Sequence, residues 1–301
     1  MCKIHNVTVL MSTYNGGMYL REQINSILNQ KSVRVNLVVR DDGSEDDTLS
    51  ILEEYKAKGL LSFYTGSNLG PQRSFMHLLQ HAPQSEYYAF ADQDDYWMED
   101  KLYIAVKSLE NRCDEPALYF GQTQLTDADL NPKPSVIIKP LLTFGESLIY
   151  KFIGGCTMVL NHQMREKVGD ISPKIMPMHD IWIYSIAQAI GAYIYFDKTP
   201  HILYRQHTSN AVGQGQGFVY EWKARLHRFM SRRDERYIQA KELCDCYAGI
   251  ITPHNLQTLN LFLSGKHSFV KRQKIMFCRQ MRCADRTTQI LFWANLLTNK
   301  Y

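Results

Sequence analysis

Three aspartates fall within four positions, in Ala91-Asp-Gln-Asp-Asp-Tyr-Trp97, directly after the apolar run Tyr87 to Ala91. A second acidic pair, Asp41-Asp42, closes the apolar run that starts at Val33, and Asp180 opens a third apolar stretch. A single Asp after a strand is ordinarily a turn former or a helix cap, and Asp46 and Asp47 read as that. Asp92, Asp94 and Asp95 are too crowded for the same explanation. Neighbouring carboxylates raise one another's pKa unless a cation lies among them. Their oxygens suit Mg²⁺ or Mn²⁺, ions that bridge protein carboxylates to substrate phosphates. A D-x-D occurs often by chance, so its place in the chain decides its weight.

The elements that must present these acids alternate between two hydrophobic periods. Val7 to Met11 is a β-branched strand pattern followed by the turn Tyr14-Asn-Gly-Gly17. Leu20, Ile24, Ile27 and Leu28 recur at helical spacing, which predicts a helix over Met18 to Gln30. Val33 to Val39 is the second strand, Leu49 to Tyr55 a helix ended by Gly59, and Leu60 to Tyr64 the third strand. A helix over Pro71 to His81, with Pro in its first turn, leads to the fourth strand, Tyr87 to Ala91. Asp100 to Asn111 is helical and Ala117 to Phe120 a strand. Short links between alternating strands and helices imply an α/β fold, a mostly parallel sheet covered on both faces. In such sheets ligands bind at the carboxyl ends of strands, where all three acidic groups are expected. Further on, Ile153 to Leu160 reads as a buried strand, Asp180 to Ile190 as an internal helix and Ala192 to Phe196 as a strand. Asn131 to Leu142, with three prolines, and Ser209 to Gly217 read as loops.

With 301 residues, 45% hydrophobic and 21% charged, the chain has the composition of a globular protein able to bury its own core. Net charge is +4, too small to point to nucleic acid. Seven scattered cysteines without a C-x-x-C pair suggest reduced thiols and no zinc site. The longest apolar stretch, Ile181 to Phe196, is interrupted by Ser185 and Gln188 and is shorter than the roughly 20 residues a bilayer needs. Met-Cys-Lys-Ile-His runs straight into a strand pattern, so no leader and a cytoplasmic location are expected.

In chain order the chemistry-bearing segments are Ser12-Thr-Tyr-Asn-Gly16, Arg40-Asp-Asp-Gly-Ser44, Asn68-Leu-Gly70, Asp92-Gln-Asp-Asp-Tyr-Trp97 with Lys101-Leu102, Gly154-Gly-Cys156, His179-Asp-Ile-Trp182 and Tyr204-Arg-Gln-His207. The set, covering roughly residues 4 to 212, resembles glycosyltransferase family 2, inverting nucleotide-sugar transferases of the GT-A fold. The D-Q-D-D-x-W form with H-D-x-W and Y-R-Q-H downstream is most similar to the bacterial rhamnosyltransferase-type subgroup. That subgroup builds O-antigen, capsule and related cell-surface polysaccharide.

The resemblance implies a GT-A fold, a Rossmann-like mixed sheet with helices on both faces, and a set of roles. Ser12, Tyr14 and Asp42 hold the nucleotide base, with Asp41 bracing the turn. A carboxylate accepts the imide N–H of uracil or thymine, so a UDP- or dTDP-sugar is the expected donor, dTDP-rhamnose among them. Arg73 adds a base or phosphate contact. Asp92 reaches the ribose and the metal's water shell, Asp94 ligates Mn²⁺ or Mg²⁺, and His207 completes metal or diphosphate binding beside a phosphate-facing Arg205. Asp95 reaches the donor sugar or caps the next helix, and Trp97, His179 and Trp182 pack against sugar or acceptor. Asp180 is the general base for the acceptor hydroxyl, held ionised by the amides of its helix N-terminus.

Residues 1–217 form the expected catalytic domain, 1–112 binding nucleotide and 113–217 the acceptor, and 218–301 a helical extension. That extension is basic: residues 221–301 hold 15 Lys and Arg against 6 Asp and Glu, while 1–220 hold 19 against 24. Trp222 to Arg233 and Phe269 to Arg279 interleave basic with aromatic residues, the pattern either of solvated helix faces or of a peripheral surface on an anionic membrane. Membrane contact suits a lipid-linked glycan acceptor. Two other readings stand beside the transferase. A sugar-phosphate nucleotidyltransferase is disfavoured because the Ser12 to Gly17 turn lacks a basic residue. A non-catalytic nucleotide-sugar-binding protein is disfavoured because Asp94, Asp180 and His207 are all retained.

Overall fold

The computed structural model describes residues 3–134, 143–149, 153–171, 173–175, 177–206, 234–283 and 286–301. Strand β1 (His5–Thr13) is buried without a break from Val7 to Met11, as a strand covered on both faces must be. On one face Val7, Val9 and Met11 pack against Leu20, Ile24 and Ile27 of α1 (Gly17–Leu28) and Ile51 and Leu52 of α2 (Thr48–Ala57). On the other, Leu10 joins Phe75, Leu78 and Leu79 of α3 (Pro71–His81). Strands β2 (Val33–Asp41), β3 (Ser62–Thr65) and β4 (Tyr87–Ala91) complete the parallel half of the sheet.

The seven strands of the main sheet run β3-β2-β1-β4-β8-β6-β9, with β6 at Ala117–Gly121, β8 at Val159–Asn161 and β9 at Tyr193–Asp197. Only β8 is antiparallel to its neighbours. From β1 the chain moves outward to β2 and β3, then returns to β4 on the other side of β1. This reversal is the crevice where an open α/β sheet takes its ligand. Thr13 lies opposite Asp41 and Met11 opposite Ala91, so the turns after β1, β2 and β4 meet at one edge. The second sheet, β5-β10-β7, joins Tyr96–Trp97, Ile202–Arg205 and Gln124–Thr126.

The expected strand over Ile153 to Leu160 is shorter than its apolar pattern. Gly155–Thr157 is a 3-10 turn, and only Val159–Asn161 pairs. A Cβ on Gly155 would lie 2.7 Å from Nε2 of His179, so close packing against the next helix holds the chain out of the sheet there. Helices α4 (Lys101–Leu109), α6 (His162–Val168) and α7 (His179–Ile190) cover the rest of the sheet, and the short α5 (Phe144–Ser147) packs on α7. Helix α7 buries nine of its residues, as its apolar circumference demands.

Among the described residues four more α-helices follow: α8 (Glu235–Tyr247), α9 (Pro253–Ser264), α10 (Phe269–Phe277) and α11 (Arg286–Leu297). Pro253 opens α9 rather than breaking it, and Thr252 caps it by accepting the Asn255 N–H. Leu243, Phe262, Ile275 and Phe292 share one apolar cluster with Leu10, Phe90 and Trp182. The expected domain boundary at 217/218 and the basic segment Trp222 to Arg233 lie outside the described residues, as do 135–142 and 209–217 of the expected loops.

Candidate active site

The turn after β2 is built around Asp41. Its carboxylate accepts the Thr13 hydroxyl at 2.9 Å, the Gly43 and Ser44 N–H groups at 3.0 and 2.8 Å, and the Ser44 hydroxyl at 2.5 Å. Gly43 has φ +84°, which glycine adopts without strain. Asp41 is thus the brace of the turn. Asp46 likewise accepts the Gly17 and Thr48 N–H groups.

Asp42, the expected base contact, is turned inward. It is buried, ion-paired with Arg40, and accepts the Leu69 N–H at 3.1 Å. The Arg40 guanidinium, its pKa lowered by burial, also donates to Ser74 Oγ and the Ser67 carbonyl. Ser12 Oγ lies 2.6 Å from Ser74 Oγ and so joins the same network. Tyr14 leaves its ring half exposed while its backbone is held at both ends: its N–H donates to Gln93 Oε1 at 2.8 Å and its carbonyl accepts from Gln93 Nε2 at 3.1 Å. Arg73 is exposed in the first turn of α3.

Across this turn lies the acidic loop. Asp92 and Asp94 are half-buried and Asp95 wholly buried. Burial raises the Asp92 carboxyl to about 7, with the charges of Asp94 and Asp180 adding to it. Asp95 is pushed well above the usual range, by burial first and then by Asp92 and Asp94. Beneath them Lys101 is buried with its ammonium 3.2 Å from the centre of the Trp97 ring, and burial lowers its pKa to about 7.

Ligating atoms of Asp92, Asp95 and Cys156 fall within 4.8 Å of one another. Asp95 Oδ2 is buried with no hydrogen-bond partner among the described residues. Burial keeps the Cys156 thiol protonated, so the donors on offer are carboxylate oxygens, which fit a hard divalent cation. The grouping takes Asp95 with Asp92, where the sequence reading pairs Asp92 with Asp94. His207 lies outside the described residues.

Asp180 sits at the second position of α7, close enough to raise the Asp92 pKa. Its Oδ1 accepts the Ile181 N–H at 2.7 Å, and the Gly155 N–H also bonds to the carboxylate. Those amides favour the ionised form, as expected of a helix N-terminus. Burial outweighs them and raises the group to about 6.

Four expectations are corrected by burial. His179 is packed on Phe75 at 4.2 Å between ring centres and edge-on to Phe90 at 4.9 Å, with its pKa pulled to about 3. It is a neutral core ring. Trp182 stands edge-on to Tyr247, and Trp97 lies under Lys101; both are within the core rather than at a sugar-facing surface. Large aromatic areas gain most where water is excluded. Arg205 is buried too. Its Nε donates to the Asp94 carbonyl at 2.9 Å, its backbone N–H to Asp95 Oδ1 at 3.3 Å, and its guanidinium reaches the Ala128 carbonyl and Glu22 while lying over Tyr19. It holds the acidic loop instead of facing phosphate, and it claims Asp95 from the expected sugar contact.

Arg40, Gln93, Glu22 and Lys101 had no role assigned from spacing. For Arg40 and Lys101 there was a signal, a cation placed where the apolar pattern requires burial. Gln93 stands between two acids, and Glu22 carries no local sign of its distant partner.

Residues 8–165 match the profile of Glycosyl transferase family 2. The dTDP-rhamnosyl transferase RfbG of Shigella flexneri is 28% identical over 231 residues, 71% of this chain and 77% of that protein. The putative teichuronic acid biosynthesis glycosyltransferase TuaG of Bacillus subtilis is 29% identical over 194 residues, 62% of this chain and 74% of its own. Among solved structures, S. aureus TarS 1-349 in complex with UDP matches at a TM-score of 0.58 and 20% identity, covering 98% of this chain and 79% of that one. The mannosyltransferase PcManGT of Pyrobaculum calidifontis, in complex with GDP-Man and Mn²⁺, matches at 0.51 and 18%, covering 99% and 86%. These structures share the fold of this chain, the mixed sheet of the GT-A class. The match to a glycosyltransferase family, rather than the fold, sets the nucleotidyltransferase alternative aside. A profile covering more than half of the chain, on a sheet of this order, makes the protein a glycosyltransferase of family 2.

Proposed function

We propose that the protein transfers a sugar, with inversion, from a UDP- or dTDP-sugar to a glycan or lipid-linked glycan acceptor during synthesis of a cell-surface polysaccharide such as O-antigen or capsule. The observation that carries the proposal is the pairing of unlike carboxylates across one crevice. On one side is the acidic loop; on the other is Asp180, buried, raised to about 6, and without a cationic partner among the causes of its shift. A base with pKa near 6 is ionised at neutral pH yet basic enough to accept a proton in the transition state. The RfbG relative supports dTDP-rhamnose as the first donor to try, and TuaG supports a surface polysaccharide as product.

In this mechanism Ser12, Tyr14 and Asp42 hold the base, with Arg73 at the base or phosphates and Asp92 at the ribose. Asp42 reaches the base by exchanging part of its contact with Arg40. Asp92 and Asp94, with His207, would hold Mn²⁺ or Mg²⁺, which supplies positive charge for the diphosphate as it leaves. Asp180 takes the proton of the acceptor hydroxyl. The new bond from that oxygen to the anomeric carbon forms as the bond to the diphosphate breaks on the opposite face. Among the described residues no helix is long and apolar enough to cross a membrane. We place the reaction at the cytoplasmic side of a membrane, with the basic C-terminal residues against it.

The test is a panel of UDP-, dTDP- and GDP-sugars measured by thermal shift and by donor turnover, with Mn²⁺ or with chelator. A dTDP- or UDP-sugar should bind far better with the ion, and Asp94→Ala should remove that dependence while keeping the fold. Equal donor affinity with ion and with chelator would remove the metal from the proposal, and preference for a purine nucleotide would remove the base contact.

A further inference from the structure

The C-terminal helices carry a surface that sugar transfer does not use. Helix α10 buries only Ile275. Its outward side carries Phe269, Val270 and Phe277, which are 52%, 61% and 78% exposed. At about 100° per residue, Phe269, Gln273, Phe277 and Val270 share an arc roughly 100° wide, with Lys274 and then Lys271 along one border. The helix therefore shows solvent three large apolar side chains beside two lysines, where an ordinary covering helix shows mostly polar ones. Exposed Arg279 and Arg282 follow in the next turn. Helix α11 repeats the arrangement: Ile290 and Leu297, 61% and 55% exposed, share a stripe with exposed Arg286. No carboxylate among the described residues forms an ion pair with Lys271, Lys274, Arg279 or Arg282.

Apolar side chains held in solvent beside unneutralised cations match the boundary of an anionic bilayer, where hydrocarbon lies directly beneath phosphate. A second copy meeting this face about a two-fold axis would set lysine and arginine against their own counterparts. We propose that the α10 face is a membrane-docking surface, with Phe269, Val270 and Phe277 entering an anionic lipid layer and Lys271, Lys274, Arg279 and Arg282 meeting its phosphates. This deepens the membrane contact proposed above and rests on it. Its new content is that binding has an inserted, salt-resistant part at a defined helix.

The full chain is sedimented with vesicles of phosphatidylglycerol and phosphatidylcholine, and of phosphatidylcholine alone, at low and high salt. Wild type should bind the anionic vesicles strongly at low salt, keep a measurable fraction at high salt, and bind the neutral ones about as weakly as it binds the anionic ones at high salt. Combined Phe269→Ser, Val270→Ser and Phe277→Ser should weaken anionic binding about tenfold or more and abolish the high-salt fraction. Combined Lys271→Glu, Lys274→Glu, Arg279→Glu and Arg282→Glu should abolish low-salt binding. Both variants should keep the wild-type melting profile and rate of donor hydrolysis. If wild type binds anionic vesicles and the serine variant binds equally well, this surface is wrong while the membrane reading stands. Loss of binding only on Arg228→Glu, Arg232→Glu and Arg233→Glu places the contact in another segment and also overturns it. No binding by wild type overturns both. If the serine change instead turns a dimer into a monomer in sedimentation equilibrium, the face belongs to a second copy.

Discussion

The carboxylates after β2 and the one at the head of α7 are the same group in two settings. Asp41 accepts three hydrogen bonds from its own turn and a fourth from Thr13 at the end of β1, and Asp42 faces a buried guanidinium that is itself tied to Ser67 and Ser74. Such carboxylates are taken up by donors of the protein itself, and what they do in this structure is shape the turn. Asp180 has backbone amides on one side and the apolar body of α7 on the other, with His179 neutral beside it. There burial dominates, and the group is left with affinity for a proton. Unlike surroundings push carboxylates in one crevice toward unlike work.

The hardest test of that contrast is Asp180→Asn. It keeps the shape and the amide contacts but cannot accept a proton, so turnover should fall by ~10²–10⁴ while donor binding survives. Retained turnover would make Asp180 one more structural cap. At the turn, Asp42→Ala leaves the Arg40 guanidinium buried without its partner and should cost about 3–5 kcal/mol in a denaturant melt. Pairing it with Arg40→Met should recover much of the loss; if the single change costs nothing, the pair is not what holds the turn.

Asp180→Asn also carries a stability signature of the opposite sign. A carboxyl raised in the folded state favours folding below its unfolded pKa near 4, and that advantage is lost as pH rises through about 6. At pH 7.5 the variant should therefore be more stable than wild type by about 1–3 kcal/mol, with the gap closing toward pH 4. The rate of transfer in single turnovers should rise with pH through about 6 and then level; a flat profile from pH 5 to 8 would contradict the assignment. The smallest effect is expected at Gln93→Ala, which frees the Tyr14 backbone from the acidic loop. Donor KM should rise a few-fold, about 1 kcal/mol for two hydrogen bonds, with kcat nearly unchanged.

The parallel half of the sheet was legible because both of its periods run for long stretches: five consecutive buried residues in β1, and Leu20, Ile24 and Ile27 on one stripe of α1. Strands β5, β7 and β10 were not, since two to four residues are too few to show a period. The acidic groups could be located because strand ends are where such a sheet exposes its loops. Motif spacing says which residue types gather but not which way each side chain turns. Trp97, His179, Trp182 and Arg205 fit a sugar site by type, yet all four point inward, where aromatic area and a five-donor cation each gain more. Only the packing of distant segments, Tyr247 on Trp182 or Glu22 on Arg205, decides that direction.

The grip of Arg205 on the acidic loop bears on how short a working version of this protein can be made. The family profile ends at residue 165, and a fragment cut there would retain β1 to β4 and every acid at their ends. It would lack Asp180, and with it the arginine that anchors the Asp94 carbonyl and Asp95 from the far side of the chain. Strand β10, which pairs with Tyr96 and Trp97 directly after the loop, would be missing as well. Such a fragment has the sequence signature of a transferase and a binding loop with no back wall. A fragment that keeps the support of the acidic loop must run past β10, so the end of the family match and the folding boundary lie at least forty residues apart in this molecule.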